Sequence, residues 1–355
     1  MNILLIGRLY PDTFTQHIYE TLISMGHKVS HYQPGLKTMY SNSNFVKSIL
    51  LLRETFHNIT RHINLLNKIE LRHFKNLITR EKFDLTISLH DFLTPEQVFT
   101  IKKYSKAPVV LWHPDGLHNF GKSMFINADY DYLFFKDPYV VDYFRNTLIK
   151  NSFYLPECCN PVYHKPVDLT DDDKSVYKCD ITTAGNLYTN RSAFFSNLTK
   201  YDVKIWGNPA PLWMNTSKIK KMIMNKYVSN EAKAKAFLAA KIVLNNLHPG
   251  EIWGVNCRAF EIPACGGFQM INYRQGLKQL FEIDKEIITF NNFNVLIEKL
   301  DYYLEHDSER KAIAEAGKER AHIDHSYKNR LQLLIDTVFG NEKGFKYFVS
   351  NNTIN

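Results

Sequence analysis

No stretch of this sequence stays apolar for the roughly 20 residues that a helix needs to cross a bilayer. Cysteine is scarce: five in 355 residues, at positions 158, 159, 179, 257 and 265. An odd count without CxxC-type spacing argues against a full disulfide framework and against a zinc ligand set. Cys158 and Cys159 read as reduced neighbours and the chain as cytoplasmic. The start, Met1-Asn2-Ile3-Leu4-Leu5-Ile6-Gly7, is too short for a secretory apolar segment and reads as a first strand. The phosphate loop GxxxxGK[ST] and the hydrolase elbow GxSxG are both missing. Gly7-Arg8-Leu9-Tyr10-Pro11 is not a GxGxxG dinucleotide turn and is expected to shape an acceptor side, with His17 on the next helix facing a cleft or buried. No Asp-x-Asp occurs in a metal-binding loop, so neither a metal nor a resident cofactor is expected. There is no Arg/Lys-rich tail of the kind that binds DNA.

What is present fits a globular protein. Hydrophobic residues make up 45% and charged residues 23%, and the 24 Phe and 20 Tyr predict aromatic-rich cores. The length exceeds one usual core, so two domains are expected. The net charge of +8 favours anionic partners: a nucleotide-sugar, an acidic glycan, a lipid headgroup or nucleic acid. Spread over the whole surface, it is equally an ordinary charge.

Strand-like runs alternate with helical ones. They fall at 3–6, 28–32, 83–89, 108–112, 132–135 and 153–155, and again at 180–183, 203–206, 226–228, 242–245, 267–271 and 286–289. Between the first two, Phe14, Ile18, Leu22 and Met25 share one helical face, and Gly26 stands where the helix stops. Residues 45–80 read as mainly helical. Apolar strands joined by helices predict parallel sheets covered on both faces. The fold class expected is α/β: two Rossmann-like domains facing across a cleft. The boundaries are 1–160 for the acceptor domain, 161–178 for a Pro- and Asp-rich linker, and 179–325 for the nucleotide domain. Residues 326–355 form a C-terminal helical segment packing back on the first domain.

The densest signal is Gly254-Val255-Asn256-Cys257-Arg258-Ala259-Phe260-Glu261-Ile262-Pro263-Ala264-Cys265-Gly266-Gly267-Phe268, which follows the apolar run 241–246 and a loop. A strand, a glycine turn and a helix bearing Arg258 and Glu261 can hold a nucleoside diphosphate. Glycine lets backbone approach phosphate, and Glu261 can accept from ribose hydroxyls. With Tyr227-Val228-Ser229, Asn256-x-Arg258-x-Phe260-Glu261, Ala264-Cys265-Gly266 and Tyr327-x-x-Arg330 in order, residues 178–335 resemble the C-terminal half of group 1 glycosyltransferases. The subset approached is the spore-maturation-like one. The resemblance implies the GT-B fold, a nucleotide-sugar donor, most simply UDP-linked, and metal-independent hexosyl or related transfer. The acceptor it implies is a hydroxyl on a glycan, a protein or another cell-surface component.

Donor contacts are expected from Gly185, Asn186 and Arg191 after one strand, Trp206 and Gly207 after the next, and Tyr227 and Val228 through backbone groups to the base. Gly254, Val255, Asn256, Arg258 and Glu261 complete this set. Relatives carry two glutamates around the last loop; Glu261 fills the second place and Trp253 the first, with Glu251 nearby. The departure leaves the donor-sugar contact and the stereochemistry open. In the N-terminal half, Ser88-Leu89-His90-Asp91 and Trp112-His113-Pro114-Asp115 end two strands. The catalytic candidates are therefore His113, Asp115, His90 and Asp91. The resemblance puts His113 where relatives contact the donor sugar, whereas Asp115 suits an inverting base. Asp91 also reads as an N-cap before Thr94. Other readings stand beside this one: a nucleotide-sugar epimerase, a non-catalytic glycan- or coat-binding protein, a DNA-modifying glycosyltransferase, and, for partners, peripheral contact with a membrane.

Overall fold

The computed structural model describes residues 1–33, 64–120 and 123–340. The chain divides into two compact units. Unit 1 holds Met1–Lys136, Val140–Leu155 and the C-terminal stretch from Leu331; unit 2 holds Asp137–Tyr139 and Pro156–Arg330.

Unit 1 is built on a six-stranded sheet in the order β2-β1-β3-β4-β5-β6. Its strands are β1 (Asn2–Ile6), β2 (Lys28–Tyr32), β3 (Leu85–Leu89), β4 (Val109–His113), β5 (Tyr132–Phe135) and β6 (Ser152–Tyr154). All neighbours pair in parallel, with Ile3 opposite Leu85 and Leu111 opposite Leu133. β3 and β4 are buried along their full length, as expected where helices cover both faces of a parallel sheet. The helices are α1 (Phe14–Ser24), α2 (Asn64–Arg80), α3 (Pro95–Ser105) and α4 (Pro138–Asn146). Thr13 caps α1 through the Gln16 N–H, and Gly26 at φ +83° turns the chain out of it. The helix expected over 45–80 is observed for α2; its part at 45–63 lies outside the described residues, as does 341–355 of the C-terminal segment. The core is aromatic: Phe135 packs on Phe144 at 4.7 Å and Phe125 stacks on Phe144 at 5.8 Å.

Unit 2 carries a five-stranded, wholly parallel sheet in the order β11-β10-β9-β7-β8. The strands are β7 (Cys179–Ala184), β8 (Val203–Trp206), β9 (Ala240–Asn245), β10 (Gln269–Asn272) and β11 (Ile288–Phe290). The helices are α5 (Asp171–Tyr177), α6 (Thr189–Phe195), α7 (Asn230–Ala239), α8 (Arg258–Ala264), α9 (Leu277–Leu280), α10 (Phe293–Glu305), α11 (Asp307–Asp324) and α12 (Tyr327–Phe339). α4 and α12 are divided, since unit 2 takes Pro138 and Tyr139 of the former and unit 1 takes the latter from Leu331 on.

Two local expectations need correction. Lys226–Val228 is not a strand: the edge of β8 is met instead by 222–224, through an isolated bridge of Ile205 to Ile223, and Lys226 only accepts from the Gly207 N–H. Within the stretch read as a linker, Asp171–Tyr177 is helical. Thr170 and Asp173 form a capping box, and three aspartates in the first turn complement the helix dipole.

Each sheet has a switch in strand order, between β1 and β3 in unit 1 and between β7 and β9 in unit 2. Ligands of open α/β sheets bind beyond the carboxyl ends of strands at such points.

Candidate functional site

In unit 2 the switch is framed by Gly185 at the end of β7 and by Asn245 and Asn246 at the end of β9. Gly185 adopts φ +125° and donates its N–H to the Trp206 carbonyl at 2.8 Å. A side chain at Gly185 would collide with the Arg258 guanidinium and come within 3.3 Å of Arg191 Nη1; one at Gly207 would collide with the Gly185 carbonyl oxygen. Bare backbone at both positions therefore lets the two guanidiniums and the turn pack directly against one another.

The two arginines are held by neutral groups. Arg191, 2% exposed, donates from Nε to Asn246 Oδ1 and from Nη1 to the Asn186 carbonyl, both at 3.0 Å. Arg258 donates from Nη1 to the Ala184 carbonyl at 3.1 Å and from Nε to Asn245 Oδ1 at 3.4 Å. Asn245 and Asn256 exchange amide hydrogen bonds at 3.0 and 3.1 Å, and Gln269 supports Asn245 at 3.3 Å. Burial pushes the Arg191 guanidinium well below the usual arginine range, and the Arg258 charge pushes it further. Two like charges share a largely buried corner with no carboxylate bonded to either among the described residues. Such a corner favours a ligand with two negative charges.

Glu261 is 7% exposed on α8, with Lys233 Nζ at 3.3 Å and His164 Nε2 at 3.6 Å. Those partners orient the carboxylate. The loop before α8 is fixed by Asp137, whose carboxylate accepts from the N–H groups of Ile252 at 2.9 Å and Trp253 at 3.2 Å, with Gly254 and Tyr139 as further backbone donors. Burial raises the Asp137 pKa, and the backbone hydrogen bonds oppose that rise. Glu251 is buried nearby, with Arg274 Nε donating to its carbonyl at 2.5 Å.

The remaining donor candidates fall elsewhere. Trp206 is not free to stack on a ligand: it is buried against Tyr177 at 5.0 Å, and only its carbonyl reaches the turn. Val228 and Val255 are core side chains, and Tyr227 is half exposed. Asn245, Asn246, Gln269, Lys233, His164 and Asp137 were not singled out from the sequence. The signal for the first two was there, in a pair of amides ending an apolar strand.

In unit 1, His90, His113 and Asp115 come together beyond β3 and β4. His90 Nε2 lies 3.6 Å from Asp115 Oδ2, the two imidazoles are 6.0 Å apart, and the Asp115 N–H donates to His113 Nδ1 at 3.3 Å. His113 is buried against Phe120, Phe125 and Phe135. Burial lowers its pKa strongly and His90 lowers it further, so His113 is a neutral imidazole at ordinary pH. Burial likewise lowers His90, against the pull of Asp115. Asp91 does not cap α3; Thr94 does, in a capping box with Gln97. Asp91 instead accepts from the Met124 and Phe125 N–H groups at 2.9 and 3.0 Å, which braces the turn over His113. His17 is buried with Asp12 at 3.4 Å.

Residues 191–336 match the family model described as glycosyl transferase-like. None of the curated proteins compared matches the chain. Among solved structures, sucrose-phosphate synthase from Thermosynechococcus elongatus is similar at a TM-score of 0.63 and 10% identity, over 96% of this chain and 100% of that one. Anabaena Alr3699/HepE in complex with UDP gives 0.62 and 11%, over 96% and 100%. A glycosyltransferase from Rickettsia africae gives 0.64 and 12%, over 96% and 99%. These likenesses are of fold, the GT-B arrangement of two Rossmann-like parallel sheets. Among the described residues no helix is long and apolar enough to cross a membrane.

Proposed function

We propose that this chain is a glycosyltransferase that moves a sugar from a nucleoside-diphosphate donor, UDP-linked, to a hydroxyl on a glycan or protein. The observation that carries the reading is the pair of arginines at Gly185, held by neutral acceptors where two negative charges would complete the corner. In this reading Arg191 and Arg258 take the diphosphate, Glu261 takes the ribose hydroxyls, and backbone at 227–229 faces the base. The proposed domains are a donor domain at 179–325 and an acceptor domain at 1–160, joined by 161–178. The ordered motifs from Tyr227 to Arg330 support the spore-maturation-like branch. Five free cysteines suit a reducing, cytoplasmic setting.

Chemically, the acceptor oxygen bonds to the anomeric carbon as the bond from that carbon to the β-phosphate oxygen breaks. The electron pair leaves with UDP. Charge therefore grows on the diphosphate, where the two guanidiniums are already in place and no metal is required of the mechanism. The acceptor proton goes to Asp115 if configuration inverts, or to the leaving phosphate if it is retained. His113, neutral and packed among aromatic rings, positions the sugar and does not donate a proton.

A thermal-shift panel of UDP-, GDP-, ADP- and TDP-sugars in excess chelator tests this, since any tight ligand stabilises by mass action. UDP and a UDP-sugar are expected to raise the melting temperature, and Glu261→Ala to remove most of that rise while the protein stays folded. Silence from every nucleoside diphosphate, or a strict need for manganese or magnesium, defeats the reading.

A further inference from the structure

The loop after β8 displays a feature that donor chemistry does not use. Leu212 is fully exposed and Trp213 is 74% exposed, side by side after Pro209 and Pro211. Of the four tryptophans, Trp112 and Trp206 are buried and Trp253 is partly covered, so Trp213 is the one offered to solvent. Immediately beyond lie the exposed Lys218, Lys220 and Lys221. From Gly207 to Asn230 the sequence contains no acid and four lysines, the fourth being Lys226. None of the four forms an ion pair among the described residues, whereas Lys200, Lys235, Lys241 and Lys299 of the same unit each meet a carboxylate.

The display is rigid at its base. Ile219 and Met222 are buried between the exposed lysines, and the segment is pinned to β8 by hydrogen bonds from Ile205 N–H to the Met222 carbonyl and from Met224 N–H to the Ile205 carbonyl, at 2.8 and 3.0 Å. Beside Trp213 runs a groove of about 400 Å³ between this loop and α6, lined by Thr189, Ser192, Ser196, Asn215 and Lys218.

We propose that residues 209–221 form a peripheral anchor for an anionic lipid surface: Leu212 and Trp213 enter the headgroup boundary, the three lysines face lipid phosphates, and the hydroxyl-lined groove receives a headgroup. Two adjacent apolar side chains are too little for a stable protein interface, which buries about 800 Å² on each partner. They are enough for interfacial insertion beside a basic cluster, where tryptophan is favoured and each lysine adds attraction. The inference stands independently of the proposed donor chemistry.

The test is flotation of the full chain with vesicles of phosphatidylcholine alone and of phosphatidylcholine mixed with phosphatidylglycerol, with Trp emission read against brominated lipid. Wild type is expected to float with the anionic vesicles, less so as salt rises, and its exposed-tryptophan emission to be quenched. Removing three charges at the strength typical of juxtamembrane lysines predicts a loss of about 100-fold in partitioning for the triple variant Lys218→Gln, Lys220→Gln, Lys221→Gln. Leu212→Ser with Trp213→Ser should also lose most binding and abolish the quenching. Ligand-free melting of the same variants at the wild-type temperature reports that the protein is still folded. The proposal is overturned if wild type ignores anionic vesicles, or if both variants bind as wild type. It also fails if soluble glycerol phosphate competes fully while the Leu212/Trp213 variant binds unchanged, which would make the site a phosphate pocket and not a membrane anchor.

Discussion

Replacing Arg191 by Met separates a ligand-binding charge from a structural one. In the free protein this guanidinium is buried, repelled by Arg258 and bonded to two neutral oxygens, on Asn246 and Asn186. Methionine removes the cost of a buried charge but orphans those two acceptors, at about 1–3 kcal/mol for each unsatisfied group. The two effects oppose, and the free protein should melt within a few degrees of wild type. Binding has no such compensation. A charge-assisted hydrogen bond to phosphate is worth about 1.5–3 kcal/mol, so UDP should bind roughly 10–150-fold more weakly. If UDP is supplied at 100 times the wild-type Kd, its stabilisation of about 2.7 kcal/mol should fall to about 0.7 kcal/mol for a weakening in the middle of that range. The assay is paired melting of both proteins with and without UDP, and Arg191→Lys should recover part of the shift. An undiminished UDP shift in the Met variant refutes the diphosphate assignment. A collapse of the free protein shows that Arg191 is a structural strut.

His325 supplies a pH prediction. Its Nε2–H donates to the Leu280 carbonyl at 2.6 Å while Nδ1 accepts from Arg330 Nη2 at 2.8 Å, and burial first and Arg330 second lower its pKa to about 3. The folded state therefore takes up this proton later than the unfolded chain. Stability is full above pH 6.5 and is lost as pH falls below that value, by about 2 kcal/mol at pH 5 from this residue alone. Glutamine keeps both hydrogen bonds without titrating, so a melting curve against pH for His325→Gln should be flatter by that amount, and an unchanged acid limb counts against the assignment. For turnover, Asp115→Asn and His113→Ala should each lower kcat about 10²–10⁴-fold with little change in UDP affinity, and a loss under about tenfold demotes the residue to packing. Full rate in Asp115→Asn beside a dead His113→Ala would mean that the donor phosphate takes the proton.

The strand layout was legible because buried parallel strands are written as local apolar runs, and β1, β5 and β8 appear at the expected places. Lys226–Val228 misled because Tyr and Val favour strands as a type, whereas pairing beside β8 is decided by the buried Ile219 and Met222. Arg191, Arg258 and Glu261 could be read from a glycine turn followed by charge. Their supports could not: Lys233 and His164 reach Glu261 from distant segments, and a terminal asparagine on a strand reads equally as a turn signal. Trp206 shows the reverse error, an aromatic at a strand end whose ring faces the core because Tyr177 covers it.

Asp137 recognises only main-chain amides in residues 252–254. The anchor of that turn is thus its main chain, with the Trp253 ring packed edge-on against Tyr139 at 5.5 Å. Exchanging Ile252 or Trp253 alters what the turn presents while the main-chain hydrogen bonds to Asp137 stay available. Libraries aimed at a new donor sugar have a natural place to begin at these two positions, with Asp137 left untouched.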